Sequence, residues 1–226
     1  MKTKNKALLL TLCAMLVVAA SIFGTVAYLT SKTENVVNTF TVGKVKITLD
    51  EAKVDADGKP VQPAARVQEN AYKLIPGKTY TKDPTIHVAE YSEACFIRAK
   101  VTLTNAKEWV AIATKYADNK VENIITGTDD NIWWVSQPSF DETANTVTYT
   151  FVYKNESHTD ELGKRIWTKA DGTDLVLFDK IVMPGKVTND ELAGVANTSI
   201  TIVGEAIQAE GFETEAAAWA AFDAQN

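Results

Sequence analysis

Cysteine is nearly absent from this chain, and the little there is cannot cross-link it. Among 226 residues only Cys13 and Cys95 are cysteines. Cys13 lies in an apolar N-terminal run that is expected to be removed, which leaves one thiol and no internal disulfide. Many exported domains of similar size use disulfides, so this one has to rely on its core. Cys95 sits in Ala94-Cys95-Phe96-Ile97, an apolar strand opening, and is expected to be a buried structural thiol.

Histidine is equally sparse, with only His87 and His158. Each is followed three residues later by a glutamate, Glu90 and Glu161. The chain around His87 reads as strand, where positions three apart face opposite sides. Around His158 it reads as a polar loop. There is no His-Glu-x-x-His, no Gly-x-Ser-x-Gly, no phosphate loop and no dinucleotide fingerprint. No catalytic residue, cofactor or metal is therefore expected, and His87 and His158 stand only as weak metal-ligand candidates. Asp55-Ala56-Asp57-Gly58 misses the register of a calcium loop and reads as a hairpin turn.

Basic charge is also in deficit. The 23 lysines and arginines face 29 acids, and three of the lysines belong to the first six residues. Without that segment the balance is 20 to 29, a net charge of about −9. Nucleic acid and anionic lipid are poor partners for such a surface.

What the sequence does contain starts at its N-terminus. Lys2, Lys4 and Lys6 precede an uncharged run from Ala7 to Ala27. Thr25 and Ala27 are small, as a signal peptidase requires three and one positions before its cut. The chain turns polar from Tyr28 onward, with Thr30, Ser31, Lys32, Glu34 and Asn35. This is the layout of a secretory signal, and cleavage is expected between Ala27 and Tyr28. The run is also long enough to span a bilayer, so membrane contact is expected only through an uncleaved segment. Leu12 before Cys13 is too large for a lipid-attachment site.

Beyond the signal, period-two alternation recurs. It marks Thr39-Phe40-Thr41-Val42, Val45-Lys46-Ile47-Thr48-Leu49, Thr85-Ile86-His87-Val88 and the stretches 96–103, 146–153 and 199–203. Turn signals separate them: Asp57-Gly58, Pro76-Gly77, Gly127, Asp171-Gly172 and Pro184-Gly185. Short strands between turns predict an all-β antiparallel sandwich. Two stretches carry helical spacing instead. Residues 105–116 place Trp109, Val110, Ile112, Ala113 and Tyr116 at helical spacings, and 214–222 place Trp219 and Phe222 three apart on one face. Ile75-Pro76-Gly77-Lys78 recurs as Met183-Pro184-Gly185-Lys186, an echo that suggests repeated type II turns. In Trp133-Trp134, one indole is expected in the core and the other exposed.

The signal exit Gly24-Thr25-Val26-Ala27-Tyr28-Leu29-Thr30 is followed by Asn38-Thr39-Phe40-Thr41-Val42-Gly43-Lys44-Val45. Together with Lys73-Leu74-Ile75-Pro76-Gly77-Lys78, the strand opening at Cys95 and Ala206-Ile207-Gln208-Ala209-Glu210-Gly211-Phe212, these residues resemble the TasA/camelysin family of Gram-positive bacteria. The resemblance runs along nearly the whole chain. It implies a jelly-roll-like β-sandwich, processing by a SipW-type signal peptidase, and a place at the cell surface or in the extracellular biofilm matrix. It further implies fibre formation, with residues 28–38 donated as a strand to the next subunit. Camelysin-like members are described as metalloendopeptidases, for which this chain offers no zinc motif. A surface adhesin or carbohydrate-binding module using Trp133 or Trp134 is a third expectation. The expected organisation is a signal peptide at 1–27, a flexible or donor segment at 28–38 and a sandwich domain at 39–226.

Overall fold

Alternation in a sequence becomes a sheet when neighbouring strands alternate in the same register. The computed structural model describes residues 13–15, 44–154 and 173–225. Its first strands are β1 Ile47–Ala52, β2 Arg66–Val67, β3 Thr79–Thr81, β4 Thr85–Val88, β5 Cys95–Thr104 and β6 Ile125–Thr126. The others are β7 Trp133–Val135, β8 Ser139–Asp141, β9 Thr146–Tyr153, β10 Thr173–Val176, β11 Lys180–Val182 and β12 Ile200–Gln208. Among the described residues after 43, three α-helices accompany them, α1 Ala106–Tyr116, α2 Asn189–Gly194 and α3 Glu215–Asp223, with a 3-10 turn at Val121–Asn123.

The strands form three antiparallel sheets, ordered β10-β4-β1-β2, β3-β11-β6 and β12-β5-β9-β7, with β8 also pairing β9. The expected all-β antiparallel sandwich, with an inserted helix and a C-terminal helix, is the fold this chain adopts. β9 alternates without a fault: Val147, Tyr149, Phe151 and Tyr153 are buried, and the threonines between them are half-exposed. Its partner β5 sends Ile97, Ala99, Val101 and Leu103 into the same core. Ile86 and Val88 of β4 and Leu175 of β10 close that core from the other side. The layers approach closely at Gly204 of β12, where a methyl group would lie 3.3 Å from the Ile86 Cδ1 and 3.5 Å from the Ile47 Cδ1.

The inserted helix begins where expected. Asn105 takes the left-handed conformation that asparagine tolerates, and Asn145 caps the helix from across the sheet. Its carbonyl accepts from the Ala106 N–H and its side-chain oxygen from the Lys107 N–H. Trp109, Ile112 and Ala113 point into the core, and the Trp109 indole donates to Thr198 at 3.0 Å. The C-terminal helix also docks by its aromatic face: Trp219 and Ala218 pack on Phe96 and Ala209. Arg98 lies over the Trp219 ring at 4.2 Å and ion-pairs with Glu205 and Asp223. α3 is thereby clamped to both β5 and β12.

The Pro-Gly echo has a structural meaning, though not the one its repetition suggests. Gly77 sits at φ +78 in a turn closed by Lys78 N–H to Ile75 C=O, as a type II turn requires. Gly185 has no positive φ, and its turn is centred one residue later, on Gly185-Lys186. The two turns are neighbours, since Gly77 donates to Met183, Met183 donates to Lys78, and a Cβ on Gly185 would lie 3.6 Å from the Gly77 Cα.

By its contacts the chain divides after Val42. The cleavage pair Ala27 and Tyr28, the segment 28–38, the expected strand 39–42, Asp171-Gly172 and His158 with Glu161 all lie outside the described residues. Of the expected signal helix only 13–15 are described, and they are helical. Among the described residues no helix is long and apolar enough to cross a membrane.

Candidate functional site

β12 ends its sheet, and among the described residues no strand pairs with its outer edge, although all nine of its residues pair with β5 on the inner one. That edge borders a groove of about 900 Å³. The opposite bank is β1, Val67 of β2 and the irregular stretch 68–74. The apolar lining comes from Leu49, Tyr72, Leu74, Leu192, Ile200 and Ile202.

Stretch 68–74 has an unusual construction. Its residues enter no backbone-to-backbone hydrogen bond with the rest of the described chain, and side chains hold it instead. Asn70 accepts from the Val54 N–H and donates to Glu51 and to the Ala52 carbonyl, while the Tyr72 hydroxyl donates to the Thr81 carbonyl. Asn70, Tyr72 and Leu74 turn inward, and Ala71 and Lys73 are exposed. The stretch is extended and one-sided like a strand, yet lacks a strand's ladder.

The groove's polar base is an ion pair. The Lys82 ammonium donates to Glu51 at 2.6 Å, with both side chains 8 % exposed. Asn70 satisfies the second Glu51 oxygen, and the Tyr72 ring lies 5.6 Å from the Lys82 nitrogen. No fully buried polar side-chain atom among the described residues lacks a partner. The base of the groove is therefore fixed in charge and shape.

His87, the weak metal candidate, lies on the outer face of the four-stranded sheet, inside a ladder of charges. Its Nδ1 bonds Asp174 at 2.5 Å on β10, and its Nε2 bonds Asp50 at 2.8 Å on β1. Arg66 on β2 continues the ladder from Asp50 to Asp83. Both ring nitrogens are thus engaged by carboxylates, and among the described residues no three metal-ligating side chains converge. Partial burial opposes protonation, but the hydrogen bonds and charges of Asp50 and Asp174 outweigh it and hold the imidazole pKa above its ordinary 6.5. Stability from this ladder is complete below the unfolded value and is lost as pH rises through the folded one. Urea midpoints are expected to fall as pH climbs above about 6.5, the ordinary value. His87→Gln should flatten that slope.

The other expected sites resolve simply. Cys95 is fully buried, and burial pushes its thiol up to about 12, which suits a structural thiol. Asp55 uses its carboxylate on the Asp57 and Lys59 N–H groups, and Val54 bridges Pro60, making the expected hairpin turn. Trp133 is buried against Phe151 and Tyr153, whereas Trp134 is 51 % exposed. The nearby exposed ring, Phe140, pairs with inward-facing Val147, while Trp134 pairs with outward-facing Val152. These two aromatics lie on opposite faces and do not line one groove. Sequence patterning missed α2 and, among the strands, β2, β3, β6, β8, β10 and β11. A signal for α2 was present, since Thr188-x-x-Glu191 forms a complete capping box.

No protein-family model, no curated protein and no solved structure matches the chain.

Proposed function

We propose that this is an exported structural protein of the cell surface or extracellular matrix that assembles with copies of itself by strand addition. The observation that carries this reading is the nine-residue outer edge of β12, unpaired among the described residues, whose first residues border the groove through Ile200 and Ile202. Exposed edges are templates for another chain, and an extended peptide adds to such an edge through main-chain hydrogen bonds while pockets take its alternate side chains. Stretch 68–74, without main-chain partners, offers a second line of donors and acceptors on the opposite bank.

The occupant we assign is residues 28–38 of a neighbouring subunit. Eleven extended residues reach about 36 Å, and a nine-residue strand is about 30 Å long. Tyr28, Leu29, Val36 and Val37 supply apolar side chains for Leu74, Ile200 and Ile202. Cleavage after Ala27 by a signal peptidase frees this segment, so assembly follows export. The role needs no catalytic residue, cofactor or nucleic acid, and membrane contact ends with removal of the signal.

The decisive comparison is between chains that start at Tyr28 and at Thr39. The longer chain is expected to form filaments visible by electron microscopy, and the shorter to remain monomeric by light scattering. Equal polymerisation of both would sink the donor-strand assignment.

A further inference from the structure

A second cavity, sharing no lining residue with the groove, lies over the inner face of the five-stranded sheet. It encloses about 260 Å³. Val101 and Leu103 of β5, Phe151 of β9 and Val135 of β7 form its floor, and Val121 and Ile125 form its roof. An apolar cavity of about 150 Å³ is enough to hold benzene, so this one has room for an aromatic ring or a short alkyl chain.

One wall of the cavity is not apolar. Tyr149 projects inward from β9 and is only 6 % exposed, yet its hydroxyl makes no hydrogen bond with any described residue. Buried tyrosine hydroxyls usually find partners; those of Tyr72 and Tyr80 do so here. Since no fully buried polar side-chain atom among the described residues is unsatisfied, the Tyr149 oxygen must reach accessible space. The space that Tyr149 borders is this cavity.

The mouth carries negative charge. Glu122 and Asp130 both contribute to the lining and are otherwise exposed, and the Glu122 charge is felt at the Tyr149 phenol. Asp179, close to Gly127 at the rim, is paired with Lys180. Neither Glu122 nor Asp130 takes part in an ion pair with a described residue.

We propose that this cavity binds a small organic cation, a primary amine on a short aliphatic or aromatic tail. The tail replaces solvent against Val101, Leu103 and Phe151, where burial is favourable in proportion to apolar area. The ammonium sits at the mouth, donates one hydrogen bond to the Tyr149 oxygen and is balanced by Glu122 and Asp130. A neutral alcohol of the same shape would keep the packing and lose the charge. A carboxylate would meet two like charges.

The test uses the secreted chain with benzylamine, benzyl alcohol and benzoate as probes, read by calorimetry and by thermal midpoint. Benzylamine is expected to bind saturably at one site, benzyl alcohol about tenfold or more weaker, and benzoate not measurably; a hydrogen bond to a charged group is worth about that factor. Tyr149→Phe deletes only an unpartnered hydroxyl, so the unliganded midpoint should not fall, while benzylamine should bind about tenfold more weakly. Glu122→Gln should narrow the preference for benzylamine over benzyl alcohol. The proposal is overturned if benzylamine fails to saturate, if all three probes bind alike, or if Tyr149→Phe binds benzylamine as well as the unchanged chain. None of these outcomes depends on whether the protein polymerises.

Discussion

Gly58→Ala is expected to cost about 3 kcal/mol or more, a large effect for one methyl group in a surface hairpin. Two penalties combine. Gly58 holds φ at +73, a left-handed conformation that costs an L-residue about 1–2 kcal/mol. The added Cβ would also fall 2.4 Å from the Tyr80 Cδ1 and 2.9 Å from its Cβ, an overpacking that typically costs about 1–3 kcal/mol. Tyr80 cannot step aside. It is fully buried, and its hydroxyl both accepts from the Ile75 N–H and donates to the Lys73 carbonyl, each at 2.6 Å. Gly211 provides the control, because its φ is +90 but nothing lies within 4 Å of its missing side chain. Urea denaturation should show Gly211→Ala losing only the backbone part, about 1–2 kcal/mol. Equal losses at both positions would mean that Tyr80 moves.

Lys82→Ala is expected to be at least as damaging, at about 3–5 kcal/mol, because it leaves the Glu51 carboxylate buried without its cation. Glu51 is 6 % exposed and Lys82 7 %, so water cannot readily replace the missing partner. The pair's net contribution is a separate quantity. Two charges removed from water lose hydration that their attraction only partly restores, and apolar residues of similar volume often serve as well. Lys82→Met combined with Glu51→Leu should therefore recover most of the stability that Lys82→Ala loses. A double variant as unstable as the single one would show that the ion pair itself, through Asn70 and Tyr72, holds stretch 68–74 in place.

How much of this was legible beforehand depended on length and repetition. β9 was readable because it alternates over its whole run, and β5 because its second half, Ala99 to Thr104, alternates in register with it. α1 and α3 were readable from aromatics at helical spacing. β2, β6 and β11 are only two or three residues long, too short for any period, and their pairing is imposed by what they pack beside. The groove was hidden for a different reason. No residue type marks it, since its defining property is that no described strand neighbours β12 on that side, which topology creates and composition does not. His87 was conspicuous for its rarity, but its carboxylate partners come from β1 and β10, and no spacing along the chain announces them. Tyr149 looked like one more inward residue of an alternating strand, and only the three-dimensional contacts show that its hydroxyl has no partner among the described residues.

The clamp at Arg98 has a consequence for the order in which the molecule can form. Arg98 and its partner Glu205 are 107 residues apart, and Asp223 is 125 away. β5 is a central strand, so its sheet stays incomplete until β12 has been made. Pairings across such separations incur their loop-closure entropy before they return any contact energy, which slows folding to milliseconds or longer. The outer strand of this sheet and the clamp on Arg98 therefore form only after β12 and α3 have been made.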